Sequence, residues 1–289
     1  METTLQKAKV KRKVRIKTPI SYYGGKQQML KYILPLIPKH LCYTEAFSGG
    51  AAVFWAKEPA KIEAINDLNE NIVTFWEVLK TDFDALNEKV QSTLHSNFSY
   101  KKANIIYNTS DYYSKLDRAW ALWVLTSMSY GSMPGGGFAF QKRIKNACAI
   151  KVKNKRLNFI QELSDRLETT TIEHEDACKI IKRYDTRDSF HYVDPPYINS
   201  NQGHYDGYTE EHYKKLLSIL EKVEGKFLLS SYPSEVLAEF AKRNNWQQIE
   251  VKRQMSMSKN RKVKTEVLTA NYDIHKDYLH FSSNVIAVV

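Results

Sequence analysis

The residues with the clearest chemical character are Asp194-Pro195-Pro196-Tyr197, which follow the apolar run at 191–193. Proline cannot extend a sheet ladder, so this pattern predicts a strand that ends abruptly in a stiff loop. The loop offers a carboxylate, prolyl carbonyls that no ladder uses, and one aromatic face. A planar amine bound there would find acceptors for its hydrogens and a ring on which to stack. A proline-stiffened turn without a ligand is the alternative interpretation of the tetrapeptide alone.

A glycine turn and a second carboxylate follow two other short apolar runs. The first run, 42–44, leads into a turn that contains Phe47, Gly49 and Gly50, and the second, 62–65, ends at Asp67. Glycine lets a ligand approach the backbone and leaves the amides of the next helix available. An acidic residue about twenty positions later can accept both ribose hydroxyls of an adenosine, although a helix cap is the alternative. The turn lacks the full spaced-glycine fingerprint, which disfavours a pyrophosphate-bearing cofactor.

Apolar periodicity predicts an alternation of short strands and longer helices. Strands are predicted at 42–44, 62–65, 170–173, 190–193, 226–230 and 267–272, and helices at 27–37, 51–57, 71–79, 117–130, 155–168, 209–222 and 233–243. This alternation favours an α/β fold with a Rossmann-like, doubly wound, mainly parallel sheet. In such a sheet, ligands lie at the carboxyl ends of the strands.

Composition sets the broad limits. A chain of 289 residues with 43% hydrophobic residues can bury one large α/β core with a smaller inserted module. No apolar run reaches about 18 residues, and no secretory signal is visible, so a cytoplasmic, nucleoid-associated location is expected. The three cysteines, Cys42, Cys148 and Cys178, are scattered, which suits a reducing compartment and disfavours a structural zinc site.

The net charge of +11 is concentrated in two segments. Residues 1–18 hold seven Lys/Arg against Glu2, and residues 98–156 hold eleven against Asp111 and Asp117, whereas the remainder is mildly acidic. The central segment also mixes its charges with tyrosine and tryptophan. This distribution is typical of a protein that binds a polyanion, although a basic tail by itself is often a solvated arm.

Four motifs together resemble those of the DNA adenine methyltransferase family, the Dam-like, N6-adenine-specific group with the order cofactor loop, recognition insert, catalytic loop. They are Ser21-Tyr22-Tyr23-Gly24-Gly25-Lys26, Glu45-Ala46-Phe47-Ser48-Gly49-Gly50-Ala51, Asp194-Pro195-Pro196-Tyr197, and Lys264-Thr265-Glu266-Val267-Leu268 through Asn271-Tyr272. The glycine-rich segment 133–138 replaces the asparagine-rich hairpin of the GATC-reading branch. The chain therefore looks closer to the phage and restriction-system branches, and no target sequence is assigned.

The resemblance implies S-adenosylmethionine as cofactor and no metal. The residues it assigns to cofactor binding are Tyr22, Tyr23, Gly25, Lys26, Glu45, Phe47, Gly49, Gly50, Asp67, Asp176 and Asp194. It assigns catalysis to Asp194, Pro195, Pro196 and Tyr197. The target base would be flipped into the pocket, where Asp194 and the Pro195 carbonyl accept its amine hydrogens while Tyr197 and Tyr272 stack on its two faces. For Asp176 a surface acidic cluster is the alternative, and for Tyr23 and Lys26 a tight turn with a solvated lysine.

The resemblance also predicts three regions. They are a basic N-terminal arm (1–18), a catalytic S-adenosylmethionine-binding domain (19–96 with 157–289) and an inserted, mainly helical target-recognition domain (97–156). The expected DNA-binding residues are Lys101, Lys102, Arg118, Lys142, Arg143, Lys145, Lys252, Arg253, Lys259, Arg261, Lys262 and Tyr272. The expected partner is double-stranded DNA, with a cognate restriction endonuclease as a further candidate. No membrane is expected, and the protein is expected to be a monomer or a weak dimer.

Three alternatives stay open. An RNA adenine methyltransferase would use the same pocket chemistry, and only the insert would differ. A protein glutamine methyltransferase would use a similar loop, but that group begins its tetrapeptide with asparagine. A non-catalytic DNA-binding relative would have lost the site, which the intact Gly49, Asp67, Asp194 and Tyr197 disfavour.

Overall fold

A computed structural model describes residues 16–141, 147–197, 207–254, 263–274 and 286–287. The eight strands are β1 Cys42–Glu45, β2 Ile62–Asn66, β3 Thr170–Glu173, β4 Ser189–Val193, β5 Lys226–Ser231, β6 Gln247–Gln254, β7 Val263–Ala270 and β8 Ile286–Ala287. They form one sheet in the order β3-β2-β1-β4-β5-β7-β6-β8. Strands β1 to β5 run parallel to one another, whereas β7 is antiparallel to both β5 and β6.

Helices cover both faces of the sheet. Their bounds are α1 Leu30–Ile33, α2 Ala52–Ala56, α3 Glu70–Thr81, α4 Phe83–Ser92, α5 Asn97–Asn108, α6 Lys115–Met128, α7 Cys148–Leu157, α8 Glu162–Leu167, α9 Ala177–Tyr184, α10 Glu210–Leu220 and α11 Glu235–Asn244. None of the helices in the described ranges is long and apolar enough to cross a membrane.

Two hydrophobic clusters show why the central strands are apolar on both faces. Leu228 of β5 packs into the cluster with α2 to α8, while its neighbours Phe227 and Leu229 pack with α9, α10 and α11. All three side chains are fully buried. The Rossmann-like, doubly wound fold predicted from the alternation of elements is therefore confirmed.

The inserted segment shares the larger cluster. Helix α6 is buried along most of its length, and Leu122, Trp123 and Leu125 contact the same core as Phe75 and Trp76 of α3. The helices of the inserted segment thus continue the layer that covers one face of the sheet. The boundaries at 97 and 156 stay a prediction.

Several predicted elements differ in extent. The helix predicted at 27–37 is only the four-residue α1 followed by a tighter turn at Leu34–Leu36, because Pro35 has no amide hydrogen to donate. The helix predicted at 155–168 is two helices, since Phe159 turns into the core between α7 and α8. The late strand covers 263–270 rather than 267–272, and the predicted elements do not include α4, α5, α9, β6 or β8.

The fold brings the candidate chemistry to one edge. The glycine turn, Asp67, Asp176 and Asp194 follow the carboxyl ends of β1, β2, β3 and β4, which lie side by side because these strands are parallel. Strand β7 runs in the opposite direction, so its first residues, near Lys264, reach the same edge.

Candidate active site

Asp194 directly follows β4, and its side chain is largely buried. Its Oδ2 is 2.7 Å from Nζ of Lys26, and its Oδ1 accepts a hydrogen bond from the Tyr197 hydroxyl at 3.2 Å. The side chains of Lys26 and Asp194 are 5% and 17% exposed, so the ion pair is shielded from water. The N-terminal signature and the strand-end tetrapeptide, which are far apart in sequence, therefore form one site.

The position of Lys26 is well defined. Its Nζ also donates to the Gly24 carbonyl at 2.9 Å and lies 4.9 Å from the centroid of the Tyr197 ring. Gly24 has φ of +74°, a left-handed conformation that favours glycine. The turn at Gly24, just before Lys26, thus directs the Lys26 ammonium group towards Asp194.

Burial and charge act in opposite directions on this pair. Burial raises the pKa of Asp194 above its ordinary value, and the neighbouring Lys26 ammonium limits the rise. Burial alone would lower the pKa of Lys26, but the charge and hydrogen bond of Asp194, together with Tyr192 and Glu266, outweigh this effect, so the lysine pKa lies above its ordinary value. The lysine is therefore charged at neutral pH and holds a carboxylate in a largely buried position.

An aromatic wall stands beside the tetrapeptide. The ring centroids of Tyr197 and Tyr232 are 4.3 Å apart, and the Tyr197 hydroxyl lies 3.2 Å from Oγ of Ser230. Lys264, at the start of β7, donates to the Tyr232 hydroxyl at 2.9 Å. Glu266 is 8% exposed and lies two residues further along the same strand, on the same side.

Tyr232 and Ser230 of this wall are not among the predicted site residues. Tyr232 directly follows β5, the parallel neighbour of β4, and the rule that ligands lie at strand ends would have found it. Lys264 and Glu266 were part of a quoted motif. Their proximity to the site depends on the antiparallel direction of β7, which the motif does not indicate.

The glycine turn after β1 is covered by the segment that precedes the N-terminal signature. Gly49 has φ of +47°, and a Cβ atom there would lie 3.3 Å from the Tyr22 ring. A Cβ atom on Gly50 would lie 2.7 Å from the Ile20 carbonyl oxygen, which is closer than any real contact. The Thr18 hydroxyl lies within hydrogen-bond distance of the carbonyls of Ile20 and Gly50, and its single hydrogen is shared between them, which holds this segment in place.

Asp67 supports the same turn. Its Oδ2 accepts the Gly49 amide at 2.8 Å, and its Oδ1 accepts the Asn69 amide at 2.9 Å. Burial raises the pKa of Asp67, and these two amides act against the rise. The predicted ribose-binding carboxylate therefore lies next to the glycine turn, and it also orders the beginning of α3.

Glu45 is turned into the core. It is 3% exposed, and its Oε2 accepts hydrogen bonds from the Tyr43 hydroxyl at 2.8 Å and the Phe54 amide at 2.9 Å. Burial raises its pKa to about 8. These bonds connect β1 to α2 beneath the glycine turn, so the contacts of Glu45 in the described structure are structural.

The other predicted cofactor residues lie around this edge. Phe47 is half-buried, with its ring 6.3 Å from that of Tyr208 in an edge-to-face arrangement. Asp176 caps α9 by accepting the Lys179 amide at 3.2 Å, and Nζ of Lys215 lies 3.7 Å from its other oxygen. Both residues follow strands that end beside the glycine turn.

Two predicted DNA-contacting residues lie elsewhere, and these predictions are wrong. Tyr272 follows the last residue of the antiparallel β7, at the opposite edge of the sheet, where its hydroxyl donates to the Leu36 carbonyl at 2.8 Å. Arg118 is 7% exposed and binds Glu70 at 2.8 Å, so it connects α6 to α3 instead of facing solvent.

The remaining basic residues divide into two groups. Lys101 and Lys102 are exposed on α5, Lys252 is exposed near the end of β6, and Arg253 belongs to the same strand, which ends at the site edge. Most of the basic arm 1–18 and six predicted residues lie outside the described residues: Lys142, Arg143, Lys145, Lys259, Arg261 and Lys262.

Comparison with known proteins places this geometry in a family. A family model for the D12 class N6 adenine-specific DNA methyltransferases matches residues 22–257. The chain is 25% identical over 281 residues to type II methyltransferase M1.LlaDCHI of Lactococcus lactis subsp. cremoris, with 91% of this chain and 98% of the relative covered. It is 26% identical over 250 residues to type II methyltransferase M.MjaIII of Methanocaldococcus jannaschii, covering 75% of this chain and 85% of the relative.

A longer relative matches in part. The chain is 28% identical over 213 residues to modification methylase StsI of Streptococcus sanguinis, which covers 66% of this chain and 30% of that protein. The family match begins at the N-terminal signature and includes both the glycine turn and the tetrapeptide at 194–197. The chain belongs to the D12 class of N6 adenine-specific DNA methyltransferases.

Proposed function

We propose that the protein transfers a methyl group from S-adenosylmethionine to the exocyclic amino nitrogen of an adenine at a specific site in double-stranded DNA. The observation that carries this proposal is the buried Asp194 carboxylate, which Lys26 and Tyr197 hold at the end of β4. The type II assignment of relatives such as M1.LlaDCHI supports the site-specific form of the reaction.

The residues around the glycine turn fit the proposed cofactor. Gly49 has a left-handed backbone and Gly50 packs against the Ile20 carbonyl oxygen, so the chain requires glycine where the turn would border the cofactor. Asp67 would accept the ribose hydroxyls, Phe47 and Asp176 would contact the adenine, and Lys26 would lie near the methionine end. When bound, S-adenosylmethionine supplies an electrophilic methyl group on a positively charged sulfur.

Asp194 and the Pro195 carbonyl would act on the target adenine. The lone pair of the adenine amino group is delocalised into the ring, so this nitrogen is a weak nucleophile. Two acceptors for its hydrogens would draw the lone pair towards the direction of attack, and one proton leaves after the new N–C bond has formed. Tyr197 would stack on the base, and Lys26 would keep the carboxylate ionised and oriented.

DNA binding would place the duplex across this edge of the sheet. The target base cannot be reached within the stacked helix, so it would rotate out of the duplex into the site. The exposed Lys101, Lys102 and Lys252 would contact phosphates, which position the protein without reading the sequence. A restriction endonuclease partner and a monomeric or weakly dimeric state remain part of the same hypothesis.

The experiment is methyl transfer from labelled S-adenosylmethionine to unmethylated duplex DNA, with identification of the modified nucleoside. We expect N6-methyladenine with the wild-type protein and at least a thousandfold loss with Asp194→Ala. The matched control is Asp165→Ala, which should retain full activity, because Asp165 lies on α8 and accepts a hydrogen bond from the exposed Gln161. Transfer to RNA but not to DNA would contradict the proposal, and so would binding of DNA without any transfer.

A further inference from the structure

A second cleft opens between the N-terminal signature and the inserted segment. It has a volume of about 320 Å³, at the lower end of the range for small-molecule sites. Asn69 lines it on the side of the catalytic sheet, together with Tyr22 and Tyr23, which the family resemblance assigns to the border of the cofactor site. On the opposite side, the lining consists of Tyr107 and Asn108 from the end of α5 and the loop segment 133–135.

The lining of this cleft is aromatic and amidic and contains no charged side chain. Three tyrosine rings offer faces on which a planar group can stack, and asparagine amides offer a donor and an acceptor to the edge of such a group. A phosphate would require cations, which the lining lacks. The chemistry therefore selects a neutral, planar heteroaromatic ring with polar edges, which is the description of a nucleobase.

The walls are held in place by hydrogen bonds. The Asn69 side-chain amide donates to the Tyr107 hydroxyl at 3.0 Å and to the Tyr22 hydroxyl at 3.3 Å, while its Oδ1 accepts the Asn71 amide at 3.0 Å. Asn69 follows Asp67 by two residues, so the cleft is connected directly to the glycine turn. Asn69 has a positioning role. Asn108 is exposed and donates one amide hydrogen to the Asn104 carbonyl at 2.8 Å, so its second amide hydrogen and its carbonyl oxygen are the groups that would contact a base.

The loop on the far side is also ordered. Ser129 and Phe138 form an antiparallel bridge, and the Tyr130 amide donates to the Gly137 carbonyl at 3.1 Å. Phe138 stacks on His95 with ring centroids 4.7 Å apart, which connects the loop to the segment before α5. Met133 and Pro134, both half-buried, thus project from a braced turn and close the cleft.

We propose that this cleft receives a second unstacked base of the DNA, next to the methylated adenine, and that Asn108 reads its edge. The inference rests on the proposed function. Proteins read paired bases with elements that protrude into a groove, whereas a concave site requires the base to leave the stack. Tyr23 in the wall of the cleft lies three residues before Lys26, which pairs with Asp194, so a base bound there would lie close in sequence to the target adenine.

The test begins with the methylation sites of the wild-type enzyme, mapped by sequencing of modified adenines. Failure to methylate DNA would remove the proposed function and this inference with it. Once the site is known, single mismatches are placed at each of its base pairs, and the Kd of each duplex is measured with S-adenosylhomocysteine present. A mismatch removes part of the cost of extruding a base, so it tightens binding by roughly tenfold at an extruded position.

We expect tighter binding at the target adenine and at one further pair. At that further pair, Asn108→Ala should remove a preference for one base of roughly ten- to hundredfold. The preference at the target pair should not change. Tyr107→Phe, which retains the ring, should keep the mismatch effect at both pairs. Asn158→Ala is the matched control, because Asn158 and Asn108 are both exposed and each donates to the carbonyl four residues earlier.

Two results would overturn the inference. One is tighter binding at the target pair alone, which would mean that only one base leaves the stack. The other is an unchanged set of methylation sites with Asn108→Ala while the enzyme retains full activity, which would mean that the cleft reads no base.

Discussion

Replacement of Lys26 by methionine tests the central ion pair of the site. The two side chains are 5% and 17% exposed, and their charged atoms are 2.7 Å apart. Removing one partner of a buried pair strands the other charge, at a cost of about 3 kcal/mol in the free energy of unfolding. The partial exposure of Asp194 places the expected value at the lower end of the measured range.

The assay is urea unfolding of four proteins: wild type, Lys26→Met, Asp194→Asn and the double variant. Because the double variant leaves neither charge unpaired, it should be more stable than the sum of the single losses implies, with a coupling energy of about 2 kcal/mol. Lys31→Met replaces an exposed lysine of α1 and should change stability by less than about 0.5 kcal/mol. Additive losses within about 0.5 kcal/mol would refute the ion pair as described.

The same variants have a defined pH dependence. Without Lys26, the pKa of Asp194, already raised by burial, should rise further. The difference in stability between wild type and Lys26→Met therefore grows as the pH rises from the pKa of Asp194 in the wild type to its pKa in the variant. The difference shrinks in acid, where Asp194 is protonated in both proteins. The acid limb of methyl transfer should shift to higher pH in Lys26→Met. A difference in stability that is independent of pH would contradict this reasoning.

Three further predictions concern other parts of the site. Burial raises the pKa of Glu45 from 4.5 to about 8, so this group lowers the stability of the wild type as the pH rises through that interval. Glu45→Gln should flatten the decline between pH 5 and pH 8.5 in urea unfolding, and an unchanged slope would count against the buried position. Gly50→Ala places a Cβ atom 2.7 Å from the Ile20 carbonyl oxygen, and it should weaken S-adenosylmethionine binding at least tenfold by calorimetry; unaltered affinity would contradict the close approach. Lys101→Ala should reduce the salt slope of DNA binding by about one, whereas Arg118→Met should lower stability and leave that slope unchanged. A reduced salt slope of DNA binding in Arg118→Met would mean that Arg118 contacts a phosphate despite its burial.

The sequence predicted the end of β4 well because the signals are local. Prolines after an apolar run terminate β4 at a known residue, and the glycine turn has a conformation that few other residues adopt. The general rule that ligands bind at the carboxyl ends of parallel strands then groups Asp67 with Asp194. Each of these steps depends on neighbours within a few positions of the chain.

The errors have a different origin. Arg118 has the residue type and the local surroundings of a phosphate-binding residue, but its partner Glu70 lies 48 positions away. Tyr272 belongs to a family motif, but β7 runs antiparallel and carries its end away from the site. A residue type does not indicate the direction of its strand or the charge packed against it.

The sequence by itself determined which residues can do the chemistry and the alternation of elements that presents them at one edge, because these follow from backbone sterics and apolar periodicity. Only the tertiary structure decided the pairing of Lys26 with Asp194, the aromatic wall of Tyr232, and the cleft between Tyr22 and Tyr107. Those contacts join segments that are distant in sequence, and packing, rather than any local preference, brings them together.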